Sequence, residues 1–132
     1  MAADLRSVRA ATPLGAFTVV VSDRGVLATM FDDEQPAAAL DRIERRLDAA
    51  IGGARGLAPV RREVEGYFAG RLRAFETPVD LVLATEGFPR RALEVTATIP
   101  YGELWTYGDV AGLAGAPRGG RAAGNALARC PI

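Results

Sequence analysis

Short runs of β-prone residues open the chain. Leu5 to Ala11 and Ala16 to Ser22 are separated by Thr12-Pro13-Leu14-Gly15, which reads as a turn. Asp23-Arg24-Gly25 makes a second turn into Val26 to Phe31, so three antiparallel strands are predicted. The period then changes. Behind Pro36, Leu40, Ile43, Leu47 and Ala50 fall at helical spacing, with Asp41, Arg42, Arg45 and Arg46 on a solvated face. That helix is expected to run to about Ala50, and residues 51–57 (Ile-Gly-Gly-Ala-Arg-Gly-Leu) read as a loop. A second helix is predicted over Ala58 to Ala69, with Val60, Val64, Tyr67 and Phe68 inward. Arg71 to Val82, with Pro78 among them, read as an irregular linker.

Beyond the linker the pattern is helical. Phe88 to Thr98 is expected to turn Phe88, Ala92, Leu93 and Val95 or Thr96 toward a core. Thr106 can cap a helix whose apolar positions Val110, Ala111, Leu113 and Ala114 share one side, and Gly115 stops it. Pro117 precedes a last helix, about Arg118 to Arg129, made almost wholly of Ala and Gly. Two short helices joined by such a turn suggest a helix-turn-helix. The predicted class is α+β: an αβ domain with a three-stranded sheet over 1–77, then a helical, helix-turn-helix (winged-helix-like) domain over 78–132.

The last helix carries the candidate chemistry. Gly120, Ala122, Ala123, Gly124 and Ala126 bring almost no side chain, so another backbone can approach closely. Arg121 is the long side chain near its N-terminus, where free N–H groups and the helix dipole favour an anion. That combination fits a helix laid into a nucleic-acid groove. It also fits a tight helix–helix contact with Arg121 solvated on the rim. Tyr107, near a helix start, reads by itself as a packing aromatic that shares a staple with Trp105.

Composition narrows the chemistry. Sixteen basic and sixteen acidic residues cancel, so bulk charge does not announce nucleic acid, although three Arg and no acid follow Asp109. With no His and a single Cys, Cys130, the chain has no internal disulfide and no Cys–His pair. No metal site, cofactor, P-loop or membrane span is predicted, and the expected location is the cytoplasm. Asp32 and Asp33 read as solvation at a strand end.

Several stretches then combine into a family resemblance. Ile99-Pro-Tyr-Gly-Glu103, Thr106-Tyr107-Gly108, Gly115-Ala-Pro117 and Arg121-Ala-Ala-Gly-Asn-Ala126 resemble the methylated-DNA–protein-cysteine methyltransferases, suicide enzymes that repair O6-alkylguanine. The Tyr107–Arg121 separation is similar to that family's, and so is Glu65-Gly-Tyr-Phe-Ala-Gly70. Pro89 stands where the family often has Gln, and Cys130-Pro131 where it usually has Asn-Pro. The resemblance implies that Arg121 fills the gap left by a flipped guanine and that Tyr107 crowds its phosphate. It makes Gly120, Ala122 and Gly124 the close-approach surface in the minor groove, and double-stranded DNA containing O6-alkylguanine the partner of a monomer. A wedge of this kind is what base flipping requires.

The residues run to Ile132, ahead of the family's Pro-Cys-His-Arg nucleophile motif. The resemblance therefore covers the DNA-reading part, and no residue is assigned a catalytic role. Cys130 lies at a helix C-terminus, where the dipole disfavours a thiolate, and reads as a replacement for Asn. Without the tail that packs on these helices in the family, Leu113 and Leu127 are expected to be exposed and the C-terminal half to be marginal. The alternatives are a non-catalytic alkyltransferase-like lesion binder and an ordinary helix-turn-helix DNA-binding protein.

Overall fold

The computed structural model describes residues 4–132, which form two compact units divided between Asp80 and Leu81. In the first, β1 (Leu5–Thr12), β2 (Gly15–Ser22) and β3 (Gly25–Phe31) build an antiparallel meander. The first hairpin pairs Thr12 with Gly15 across Pro13-Leu14, and the Thr12 hydroxyl donates to the Gly15 carbonyl at 2.6 Å. In the second, the Ser22 hydroxyl accepts from the Arg24 N–H at 3.0 Å.

The sheet has a fourth strand where a loop was expected. Ile51–Gly52 (β4) pairs in parallel with β1, Leu5 opposite Ile51, giving the order β3-β2-β1-β4. Its partner makes it a strand, because two residues carry no period of their own. Helix α1 (Pro36–Leu47) accordingly stops short of Ala50. Asp48 turns left-handed at φ 49°, the Ala49 N–H closes on the Glu44 carbonyl, and the Glu44 carboxylate takes the Ile51 N–H at 2.8 Å. Those bonds deliver Ile51 to the sheet.

Helix α2 (Ala58–Phe68) covers one face, with Val60 and Val64 packed on Val8, Ala10, Val19 and Val21. Tyr67 departs from the expected inward set. It is 40% exposed, edge-on to Phe68 and tilted against Phe75, at centroid distances of 5.6 and 5.3 Å. The stretch read as an irregular linker is irregular and fastened down. The Glu63 carboxylate accepts the N–H groups of Glu76 and Thr77, both at 3.0 Å, and Val79 bridges to Val26. Asp32, at the end of β3, is held by Arg9 at 2.7 Å.

In the second unit, α3 (Phe88–Thr96), α4 (Tyr107–Leu113) and α5 (Gly120–Ala128) enclose a small core. Ala92, Ala111 and Ala123, one from each helix, are fully buried, which lets the three backbones converge. Leu113 points away and is 66% exposed, whereas Leu127 is half-buried. Among the described residues no helix is long and apolar enough to cross a membrane.

Candidate nucleic-acid interface

The site is built on the N-terminal turns of α4 and α5. Thr106 caps α4: its hydroxyl accepts the Asp109 N–H at 3.0 Å, and the Asp109 carboxylate accepts the Thr106 N–H at 3.0 Å. This reciprocal box fixes the backbone entering Tyr107. The Thr106 N–H, and after it the Thr106 hydroxyl, favour the charged carboxylate and lower the Asp109 pKa from its ordinary value. A depressed carboxylate stabilises the fold above its unfolded pKa and loses that contribution as pH falls through its folded one. Below about pH 4, therefore, α4 is expected to fray from its N-terminus. Carboxyl NMR titration checks this: the Asp109 midpoint should lie below that of Asp109 in a short unstructured peptide.

At the far end of α4, the Arg91 guanidinium donates through Nε to the Ala114 carbonyl at 3.1 Å and stands 6.0 Å from the Phe88 ring centroid. Gly115 follows with φ 91° and ends the helix, as read. This anchoring holds the turn that leads into α5.

Helix α5 has two dissimilar faces. Ala123 and Ala126 are buried against α3 and α4. Gly120 and Gly124 also face α4: a Cβ at Gly120 would lie 3.5 Å from the Gly108 nitrogen, and one at Gly124 3.4 Å from Cδ2 and Cε2 of Tyr107. Arg121, Ala122, Asn125 and Ala128 are exposed on the other side. None of the ion pairs among the described residues uses Arg121. No side chain caps the N-terminus of α5, so its first amides stay open to an anion. Tyr107, 57% exposed, sits beside this face with its ring on Gly124.

The five residues singled out from sequence thus lie together, divided between two contacts. Tyr107, Gly120 and Gly124 meet at the α4–α5 crossing, and Arg121 and Ala122 face outward. The helix–helix contact is present on one side of α5, and the other side, with Arg121 on it, is exposed. Cys130 lies just past α5, half-buried, with its N–H on the Leu127 carbonyl at 3.1 Å. Among the described residues no cluster of three or more His, Cys, Asp or Glu could hold a metal.

Known proteins share this arrangement. Residues 87–132 match the family model for the 6-O-methylguanine DNA methyltransferase DNA-binding domain, and residues 8–81, more than half of the chain, match the model for its ribonuclease-like domain. The chain belongs to the 6-O-methylguanine DNA methyltransferase family. Within that family, the methylated-DNA–protein-cysteine methyltransferase of Mycobacterium leprae is 44% identical over 70 residues, 53% of this chain and 41% of the relative. The Methanosarcina acetivorans protein of the same name is 44% identical over 73 residues, 54% of this chain and 44% of the relative. The chain thus spans less than half the length of these two curated relatives. A DNA base-flipping protein of Escherichia coli is 50% identical over 46 residues, 35% of this chain and 36% of that one. The crystal structure of Mycobacterium tuberculosis O6-methylguanine methyltransferase superimposes with a TM-score of 0.74 at 26% identity, covering 98% of this chain and 72% of that one. The Mycobacterium tuberculosis protein in complex with DNA does so with 0.74 at 25% identity, covering 96% and 72%.

Two residues of this methyltransferase-family site escaped the sequence reading. Asp109 was legible in principle, since Thr-x-x-Asp ahead of an apolar run is a capping-box pattern. Asn125, a polar side chain on the outward face one turn after Arg121, stood within the family-like stretch Arg121–Ala126 but was given no role of its own.

Proposed function

We propose that this chain reads duplex DNA in the repair of O6-alkylguanine, the direct reversal in which a protein cysteine takes the alkyl group stoichiometrically. One observation carries the reading: Arg121, in no ion pair among the described residues, stands exposed on a face of Ala and Asn, one turn from Gly124, on which the Tyr107 ring rests. A long cation on an otherwise low surface can enter the minor groove and occupy the space a flipped nucleotide vacates. Ala122 allows the helix to lie close, the open α5 amides receive phosphate, and Tyr107 crowds the phosphate of the extruded nucleotide. The chain acts as a cytoplasmic monomer, with residues 78–132 as the DNA-reading domain and residues 1–77 as its companion.

No residue of the 132 is assigned as nucleophile. Cys130 follows the C-terminus of α5, where the dipole opposes a thiolate, so these residues bind the lesion without accepting its alkyl group. The test is fluorescence anisotropy with a duplex carrying one O6-methylguanine, against the same duplex unmodified. Tighter binding of the modified duplex is expected, with the Cys130 peptide unmethylated by mass. Equal affinity for the two, or a methylated Cys130, would contradict the proposal. Likeness over 46 residues to the Escherichia coli DNA base-flipping protein supports base flipping in either of two readings, the second being a lesion binder that never performs transfer. The two share the wedge and differ in whether alkyl transfer follows binding.

A further inference from the structure

Arg121, Ala122, Asn125, Ala128 and Arg129 form one exposed stripe along α5 and its C-cap, at the spacing of a single helical face. Between the two arginines, the Asn125 carboxamide is the one side chain on this stripe longer than a methyl. It makes no hydrogen bond among the described residues. Alanine favours a helix more than asparagine does, so an exposed Asn without a partner does nothing for the free fold.

Position gives the amide a use. A helix with its side chains is about 10–12 Å across and the minor groove about 6 Å wide, so base edges are reached only along a face of short side chains. Asn125 stands one turn after Arg121, about 6 Å along the helix axis. With Arg121 in the gap of the extruded guanine, the carboxamide comes to the minor-groove edge of a neighbouring pair. Every pair offers acceptors there, purine N3 and pyrimidine O2, and G·C alone adds a donor, the guanine 2-amino group. The carboxamide carries both kinds, donating through Nδ2 and accepting at Oδ1. Only a G·C pair satisfies both; beside A·T, Oδ1 meets acceptors alone.

We infer that Asn125 is a specificity-determining residue that reads the base pair beside the flipped guanine and favours G·C through its 2-amino group. The inference rests on the DNA-reading function proposed above, and makes a G·C neighbour part of the preferred substrate.

Fluorescence anisotropy of the full chain with O6-methylguanine duplexes tests this. Each flanking pair is set in turn to G·C, inosine·C, A·T and 2,6-diaminopurine·T, with the purine on either strand. Inosine is guanine without its 2-amino group, and diaminopurine is adenine with one. At one flank, G·C and diaminopurine·T are expected to bind roughly fivefold tighter than the pairs lacking the amino group. Ease of opening the duplex gives the reverse order, since those weaker pairs release a neighbour more cheaply. Asn125→Ala should reduce the ratio to less than about twofold while melting within about 2 °C of the parent. Equal affinity for the four duplexes at both flanks, or a preference that persists in Asn125→Ala, would overturn the inference. Should the parent bind none of them more tightly than its unmodified counterpart, the DNA reading itself fails. Lesion preference without any effect of the flanks removes only the role of Asn125.

Discussion

Replacing Arg121 by Ala is expected to cut affinity for an O6-methylguanine duplex by about 10- to 100-fold, the equivalent of the few kcal/mol needed to hold one unstacked step open. The melting temperature should stay within about 2 °C of the parent, because an exposed substitution away from special features costs little. The separation of the two effects follows from position. Arg121 is exposed and takes part in no ion pair among the described residues, so the free protein loses no ion pair with its removal. In the complex its guanidinium fills a gap that Ala leaves open. Arg121→Lys should recover only part of the loss, since the ammonium restores charge without the flat, stackable plane. Parallel losses in affinity and stability would show that Arg121 supports the fold instead.

The second large effect concerns stability, and lies far in sequence from the DNA-reading helix. Gly25→Ala is expected to destabilise the first unit by roughly 2–4 kcal/mol, as strain at a positive φ adds to overpacking. Gly25 has φ 145°, and an added Cβ would lie 2.3 Å from the Pro78 carbonyl oxygen. That carbonyl cannot simply retreat. It accepts the Val26 N–H at 2.9 Å, the Asp80 N–H returns to the Val26 carbonyl at 2.7 Å, and the Ser22 hydroxyl donates to the Asp80 carboxylate at 2.7 Å. Gly53→Ala is the control, with open space around its Cβ, and should change stability by less than about 0.5 kcal/mol. Urea unfolding followed through each variant measures both.

These two positions also show where sequence reading works and where it stops. The meander was legible because Pro and Gly turns separate runs of strand-prone residues, and the hairpins fall where those turns are. Gly25 was legible only as a turn residue. Its contact with Pro78 is backbone meeting backbone between positions far apart in the chain, which leaves no trace in side-chain pattern. Strand β4 was hidden for the same reason, since Leu5 makes a strand of Ile51–Gly52. In the second unit, Thr106 and Gly115 announced the ends of α4 through their own chemistry. The orientation of α5 was marked only by Arg121 and Asn125, one turn apart on its outward side, since its inward side is built of Ala and Gly without a large apolar residue. The neighbouring helices decide it, burying Ala123 and Ala126 and setting Tyr107 over Gly124. Leu113 illustrates the converse: its apolar side chain sits at the period of the core yet is exposed, since α4 turns Val110, Ala111 and Ala114 inward and not Leu113.

The measurement that bears most directly on the account is a backbone amide NMR titration with a duplex containing one O6-methylguanine. The predicted footprint is confined to the two helix starts and the outward face: Tyr107, Gly108 and residues 119–125, continuing to Ala128. Shifts of that kind, together with broadening at Arg121, would locate the DNA where the wedge stands. Shifts concentrated in the sheet of the first unit, or none at concentrations where the duplex is bound, would contradict it.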